Sequence, residues 1–176
     1  MEFRETGGER PARRTAGGGA CASHPGTDLK RAVADADLVV EAAPEKLSVK
    51  RDPFSTVDEH APDHAILTLN TSSLFIFDIA ATTTRSEQVA GAHSFNSPVK
   101  MDLVDVVYGD ETTDEPAEIL HYFLQSTRKT LIYVQKDVSG FIVNNVLSPF
   151  IMEPAWMVSD GESTIREDRT PEFRGE

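Results

Sequence analysis

Cysteine is almost missing from this chain of 176 residues: Cys21 stands alone. No internal disulfide can form, which excludes the small stapled scaffolds of secreted domains and points to a cytoplasmic protein. Long apolar runs are missing as well. None reaches the roughly 20 residues that a bilayer-crossing helix needs, and no secretory hydrophobic stretch follows Met1, so the chain is expected to be soluble. Positive charge is the scarcer sign, with 17 Lys and Arg against 29 Asp and Glu and a formal net charge of −12. Such a field repels phosphate backbones and anionic lipid, so neither a nucleic-acid nor a membrane partner is expected. No His, Cys, Asp and Glu group has the spacing of metal ligands, and no metal is expected.

What is present divides into unlike parts. Residues 1–26 carry four arginines against three glutamates, together with Gly7-Gly8 and Gly17-Gly18-Gly19, and almost no bulky apolar side chain beyond Phe3. Such a segment cannot bury enough surface to offset its ordering entropy and is expected to be loose. The excess carboxylates fall in the remainder, mostly at polar positions of ordinary apolar patterns. An acidic surface of that kind suits a high-salt environment, where self-repulsion is screened. Folding that fails in low salt and returns with KCl is the expected sign of such adaptation.

From Thr27 onward, helical and extended patterns alternate. Asp28 is placed to cap a short helix carrying Leu29, Ala32 and Val33, and Leu38-Val39-Val40 reads as a short buried strand. A helix should begin near Pro44 and Glu45 and bury Leu47, Val49, Phe54 and Val57, with Pro53 breaking or kinking it. Strands are predicted at 65–69, 89–93, 103–108 and 131–134, and helical stretches around Ile76–Ala80 and from Thr113 through Leu124. Alternation at this spacing implies an α/β fold with a mainly parallel sheet covered on both faces. After residue 138, a longer apolar segment over 139–158 reads as a helix leaving the sheet, disturbed by Pro149 and Pro154. The polar tail over 159–176 is expected to be disordered.

Open parallel sheets bind ligands beyond the carboxyl ends of their strands, so polar residues just after strands are the candidates for chemistry. They are Glu41 to Glu45, Asn70 to Ser73, His93 to Asn96, and Asn144 on the exit helix. Taken singly, each has an ordinary explanation. A histidine after a strand is usually an exposed or hydrogen-bonded residue, and Asn-Thr-Ser-Ser is good turn chemistry. Asp105 among valines fits a half-exposed strand, and Asn144 fits a helix surface. His24, His60, His64 and His121 have no comparable context and are expected on the surface.

The order and spacing of these groups carry more weight than any one of them. DLVVEAAPE (37–45), LNTSSL (69–74), GAHSFNSPVKMDLVDVV (91–107) and KDVSGFIVNNVLSPF (136–150) together resemble the L-3-hydroxyacyl-CoA dehydrogenase family, over roughly Thr27 to Met157. The resemblance implies an incomplete Rossmann-like domain over 27–138, with 139–158 beginning a helical second domain. It also implies NAD-dependent oxidation of an (S)-3-hydroxyacyl-CoA to the 3-ketoacyl-CoA, a step of fatty-acid beta-oxidation, with NAD as cofactor and an acyl-CoA as substrate.

In that reading His93 is the general base, suited by an unperturbed pKa of about 6.5, and the carboxylate twelve residues on orients its ring. The family has glutamate there. This chain has Asp105, shorter by about 1.5 Å, one carbon–carbon bond, which is expected to open or weaken the hydrogen bond. Ser72 corresponds to the serine that bonds the reacting oxygen and the nicotinamide, and Asn144 to the asparagine near the thioester carbonyl. Glu45 and Lys50 correspond to positions lining the cofactor and CoA sites, and Asn70 lies at the cofactor-facing strand end.

Departures from the family are equally plain. Its glycine-rich phosphate turn after a first strand has no counterpart, since Gly17-Gly18-Gly19 follows no apolar strand and lacks the G-x-G-x-x-G spacing. Ser94 replaces an aromatic residue, Ser97-Pro98 shifts a proline, and Asp102 stands where lysine is usual. These differences imply a truncated, frame-disrupted or decaying copy, either still an oxidoreductase or a fragment that acts only when a partner chain supplies the missing parts. The alternative is a noncatalytic relic of the same fold that binds CoA or other chains. The apolar face of residues 141–157 is the expected contact for a second copy or a partner chain.

Overall fold

A computed structural model describes residues 25–162. The expectations of a loose segment over 1–26 and a polar tail over 159–176 fall almost entirely outside the described residues, as do Cys21, His24 and the glycine cluster at 17–19.

The elements follow the predicted alternation. In chain order they are α1 (Leu29–Val33), β1 (Leu38–Glu41), α2 (Leu47–His60), β2 (Ile66–Leu69), α3 (Ile76–Ala80), β3 (Val89–Ser94), β4 (Leu103–Tyr108), α4 (Asp114–Ser126), β5 (Thr130–Val134) and α5 (Val143–Ser159). The Asp28 carboxylate caps α1 by accepting the Arg31 N–H at 3.2 Å. Among the described residues, one five-stranded sheet runs β1-β2-β3-β4-β5, parallel throughout except for the antiparallel β3–β4 pair. The expected mainly parallel α/β sheet is therefore what forms.

Alternate residues of a strand face opposite sides of a sheet, and β3 and β4 show why two cores result. Val89 and Val107 join Phe54, Val57, Ile76, Ile79 and Phe141 on one face. Ala90, Ala92, Val104 and Val106 meet Ala117, Leu120 and Leu124 of α4 on the other. Gly91 lets α3 settle directly on the sheet. A Cβ there would stand 2.8 Å from both Ile76 Cδ1 and Val107 Cβ, closer than packed carbons approach.

Three local expectations are corrected. Among the described residues, Leu38–Val40 is an edge strand rather than a buried one, with Val40 half exposed. Of the break or kink expected at Pro53, the break does not occur, and α2 continues to His60. The carbonyl that loses its partner belongs to Val49, on the exposed side of the helix where water can replace the bond, while Phe54 and Val57 stay buried. Likewise α5 runs through both Pro149 and Pro154. Phe150 precedes the second of these by one turn and is largely exposed, so the missing bonds fall where solvent reaches.

The exit helix α5 is unlike the rest. None of its residues is buried, although most are apolar. Val146, Phe150, Ile151 and Trp156 are more than half exposed, and Ile142, Val143, Val146, Leu147 and Phe150 line a shallow groove along it. Among the described residues, no helix is long and apolar enough to cross a membrane.

Candidate active site

Sheet topology sets the central pair. In the antiparallel β3–β4 ladder, His93 lies directly opposite Asp105, so both side chains leave the sheet on the same face at neighbouring positions. His93 Nδ1 meets Asp105 Oδ2 at 3.0 Å, and both residues are buried. The expected weakening of this bond does not occur, because direct opposition in the ladder brings the shorter aspartate within reach. The other Asp105 oxygen, Oδ1, is buried without a hydrogen-bond partner.

The remaining ring nitrogen points outward. His93 Nε2 lies 3.0 Å from the Ser72 hydroxyl. Ser72 is exposed in the turn after β2, while His93 is only 3% exposed. A carboxylate, an imidazole and a hydroxyl thus form a chain from the buried sheet to solvent. Two aromatic rings pack on the imidazole: Phe95, centroid at 4.5 Å, and Phe141 at 5.3 Å.

Glu45 organises the turn that carries Ser72. Its Oε1 accepts from the Thr71 hydroxyl at 2.6 Å, the Ser72 N–H at 2.8 Å, and the N–H and hydroxyl of Ser73 at 2.9 and 3.1 Å. Burial alone would raise its pKa, but these donors outweigh it and lower the value to about 2. Glu45 is therefore ionised at neutral pH and holds the Asn70–Ser73 turn in one shape.

Lys50 forms a second clamp beneath the first. Its ammonium, wholly buried, donates to Glu41 Oε2 at 2.8 Å, to the Ala43 carbonyl at 3.0 Å and to the Asn70 carbonyl at 3.0 Å. Three donors meet three acceptors at the carboxyl ends of β1 and β2. Asn70 extends the tie, since its Oδ1 accepts the Ser94 N–H at 2.9 Å just after His93. The ends of β1, β2 and β3 are thus fastened together around the cluster.

Asn144 is placed differently. It sits half-buried in the first turn of α5, beyond the Gly140 turn, and makes no side-chain hydrogen bond to Ser72, His93 or Asp105. The structure gathers six of the seven expected residues into one bonded network and leaves Asn144 at its margin. Among the remaining histidines, His60 and His64 bond to the Thr56 carbonyl and the Asp37 carboxylate. His121 and His60 depart from the expected surface placement, both being half-buried, and His121 bonds to the Tyr133 hydroxyl.

Comparison with known proteins fits this geometry. A family model described as "3-hydroxyacyl-CoA dehydrogenase, NAD binding domain" matches residues 20–138. The chain belongs to the 3-hydroxyacyl-CoA dehydrogenase family. Human mitochondrial hydroxyacyl-coenzyme A dehydrogenase is 40% identical over 138 residues, covering 78% of this chain and 44% of the relative. A probable 3-hydroxybutyryl-CoA dehydrogenase of Bacillus subtilis is 40% identical over 126 residues, covering 72% and 44%. Among solved structures, the 3-hydroxybutyryl-CoA dehydrogenase of Escherichia coli superposes with a TM-score of 0.75 at 40% identity, covering 79% of this chain and 29% of that one. The chain spans less than half the length of these relatives.

The matched domain is the one that serves NAD. The residues present fit the reacting end of such a dinucleotide. The exposed Ser72 and Ser73 hydroxyls and the half-buried Asn70 stand at the carboxyl ends of parallel strands, where α/β sheets take nucleotides. Lys50 has its three N–H bonds directed inward, so it acts on this cleft through Glu41 and Asn70. Among the described residues, none forms a glycine-rich diphosphate turn.

Within the candidate groups, sequence reasoning gave no role of their own to Glu41, Thr71 and Ser73, and it did not single out Phe141. Thr71 and Ser73 were hidden in an ordinary polar turn, and only the demand for donors around Glu45 reveals them. Glu41 had a visible signal, a carboxylate ending an apolar strand nine residues before a lysine. Phe141 looked like one more apolar residue of the exit helix.

Proposed function

We propose that this chain carries the proton-transfer machinery of an NAD-dependent dehydrogenase that oxidises an (S)-3-hydroxyacyl-CoA to the 3-ketoacyl-CoA, in fatty-acid beta-oxidation. The observation that carries the reading is the Ser72–His93–Asp105 chain, with 3.0 Å at each link.

The substrate loses two hydrogens, the C3 hydrogen as hydride and the hydroxyl hydrogen as a proton. NAD, when bound, accepts the hydride. His93 Nε2 takes the proton, since Nδ1 is directed at Asp105 and only Nε2 faces outward. Because Ser72 Oγ and Nε2 lie one hydrogen bond apart, an oxygen seated beside both gives its proton to Nε2 while accepting from Ser72. Asp105 fixes the ring and stabilises the imidazolium that results, the division of labour seen wherever a buried carboxylate backs a catalytic histidine. Glu45 and Asn70 hold the turn that presents Ser72 toward the cofactor, and Lys50 supports both. Asn144 is assigned to the thioester carbonyl on the family resemblance, and its place at the start of α5 suits a group contributed from the side.

Formation of NADH from (S)-3-hydroxybutyryl-CoA, with a His93→Ala control, tests the reading. Turnover abolished by the substitution supports it; equal rates in both proteins, or none in either despite intact folding, overturn it.

A second reading rests on α5, whose 17 residues include none that is buried. A helix apolar on all sides is normally covered, so we infer a contact with a second copy or a partner chain through the exposed residues of 142–157; Phe141, first of the expected 141–157 face, is buried against His93 and takes no part. On this reading the chain is a noncatalytic or partner-dependent fragment, and sedimentation of the folded chain as a monomer at micromolar concentration would refute the second-copy form of it. The lone cysteine supports a cytoplasmic location.

A further inference from the structure

Phe141 belongs to neither the catalytic motif nor an ordinary core position. It is 1% exposed, yet its backbone φ is +49°, and Gly140 before it has φ of +80°. Glycine adopts the left-handed region freely; a phenylalanine does so only where its surroundings enforce it. Here the enforcing contacts are visible. The Gly140 N–H donates to the Ser72 carbonyl at 3.2 Å, and the Ser139 hydroxyl to the Ser73 carbonyl at 3.1 Å. From the first turn of α5, Asn145 Nδ2 donates to the carbonyls of Ser139 at 2.8 Å and Phe141 at 2.5 Å. The turn is fastened to the catalytic serine on one side and to α5 on the other. What it delivers to the site is a phenyl ring, 5.3 Å from the imidazole and inclined at 56°.

We propose that Phe141 is a positioning residue for His93. The left-handed Gly140–Phe141 turn, locked by Asn145, holds the imidazole so that Nε2 meets Ser72 and Nδ1 meets Asp105 at once. Two hydrogen bonds fix the ring only while both are made, and a fully packed aromatic neighbour denies it the volume of another rotamer. Asn145 acts one step further out, through the Phe141 carbonyl. The conformation of α5 is thereby coupled to the imidazole, although α5 itself contributes no bond to His93. The proposal rests on the reading of His93 as the base, and it concerns how that base is held.

Long-range ¹H–¹⁵N spectra of the intact chain, which report the protonated nitrogen of each imidazole, provide the test. The unchanged protein should show His93 as one sharp tautomer with the proton on Nδ1. Phe141→Ala should broaden or split that signal, and Phe141→Leu should restore it in part. Asn145→Ala, a change outside the core, should produce the same loss in milder form and decides the matter if Phe141→Ala does not fold. Phe54→Leu removes an equally buried ring from the same cluster, one not paired with the imidazole, and should leave His93 sharp. A sharp, unaltered His93 signal in folded Asn145→Ala and Phe141→Ala overturns the proposal. Equal disturbance by Phe54→Leu does so too, since the effect would then be general loosening. The spectra need neither NAD nor turnover, so an ordered imidazole in a chain that forms no NADH counts against the dehydrogenase reading alone. In an active preparation, Phe141→Ala should lower kcat by up to about 100-fold with little change in KM, the signature of misplaced reacting groups.

Discussion

Asp105 reaches His93 from the strand directly opposite, and one of its two oxygens does all the bonding while the other is buried with no partner. The pair is thus both well aligned and under-satisfied, so its two possible substitutions have different costs. Asp105→Asn keeps the shape but removes the charge and disfavours the tautomer with Nδ1 protonated, and kcat should fall by about 100- to 10,000-fold. Asp105→Glu adds a methylene at a fully buried position, where overpacking costs about 1–3 kcal/mol. Turnover assays with denaturant melts separate the two, the first losing rate and the second stability.

Lys50 and Glu41 form a buried ion pair at the end of the sheet that bears the site. Removing one partner leaves the other charge unpaired away from water. Lys50→Met should lower stability by about 3–5 kcal/mol, and the Glu41→Gln, Lys50→Met double variant should recover most of that loss. Urea melts of the four proteins measure the coupling. Additive effects would show that the pair is not a unit.

Glu45 should make folding sensitive to acid. Its carboxyl is lowered in the folded chain to about 2 from the ordinary 4.5, burial opposing and the Thr71, Ser72 and Ser73 donors prevailing. The folded state therefore binds the proton less tightly than the unfolded state. The stabilisation is fully present above pH 4.5 and is lost as pH falls toward 2. Glu45→Gln should flatten this part of the stability profile. An unchanged profile below pH 4.5 would remove Glu45 from that role.

Asp137 shifts the other way. Burial raises its pKa most, with the Asp110 and Asp78 carboxylates adding to the effect against the opposing Phe77 and Ile76 N–H bonds. Its Oδ2 accepts the Phe77 N–H at 2.9 Å at the start of α3. The folded state here holds the proton more tightly, so stability contributed at low pH declines as pH rises from about 4 through the raised value. Asp137→Asn keeps an acceptor for Phe77 without the charge. It should raise the melting temperature at pH 7 and make little difference near pH 3, which thermal scans at the two values would show.

Much of this was legible in the sequence because the determining interactions are local or periodic. Strand patterns and their turns placed Ser72 and His93 at strand ends and Asp105 within the next strand, and order along the chain supplied the rest. What escaped depends on neighbours remote in sequence. Val40 reads as buried from its apolar run, but burial of a strand depends on whether another strand lies beside it, and β1 is the sheet's described edge. Pro53 should break or kink a helix by its own chemistry, yet Phe54 and Val57, buried just beyond it, keep α2 seated in the core despite one lost bond. Thr71 contributes through Glu45, 26 residues away, and Asn145 through the Ser139 and Phe141 carbonyls of the turn before α5, and a left-handed phenylalanine leaves no mark in a hydropathy pattern.

The single antiparallel pair also bears on how the molecule assembles. β3 and β4 are joined by a loop over 95–102, whereas each parallel neighbour needs a crossover through a helix or turn. Contacts close in sequence cost less chain entropy to close. The imidazole and its carboxylate therefore meet in the hairpin-like unit that folds at least cost, ahead of the β1–β2 ladder. In pulse-labelled refolding, amides of β3 and β4 should gain protection before those of β1; the reverse order would place nucleation elsewhere.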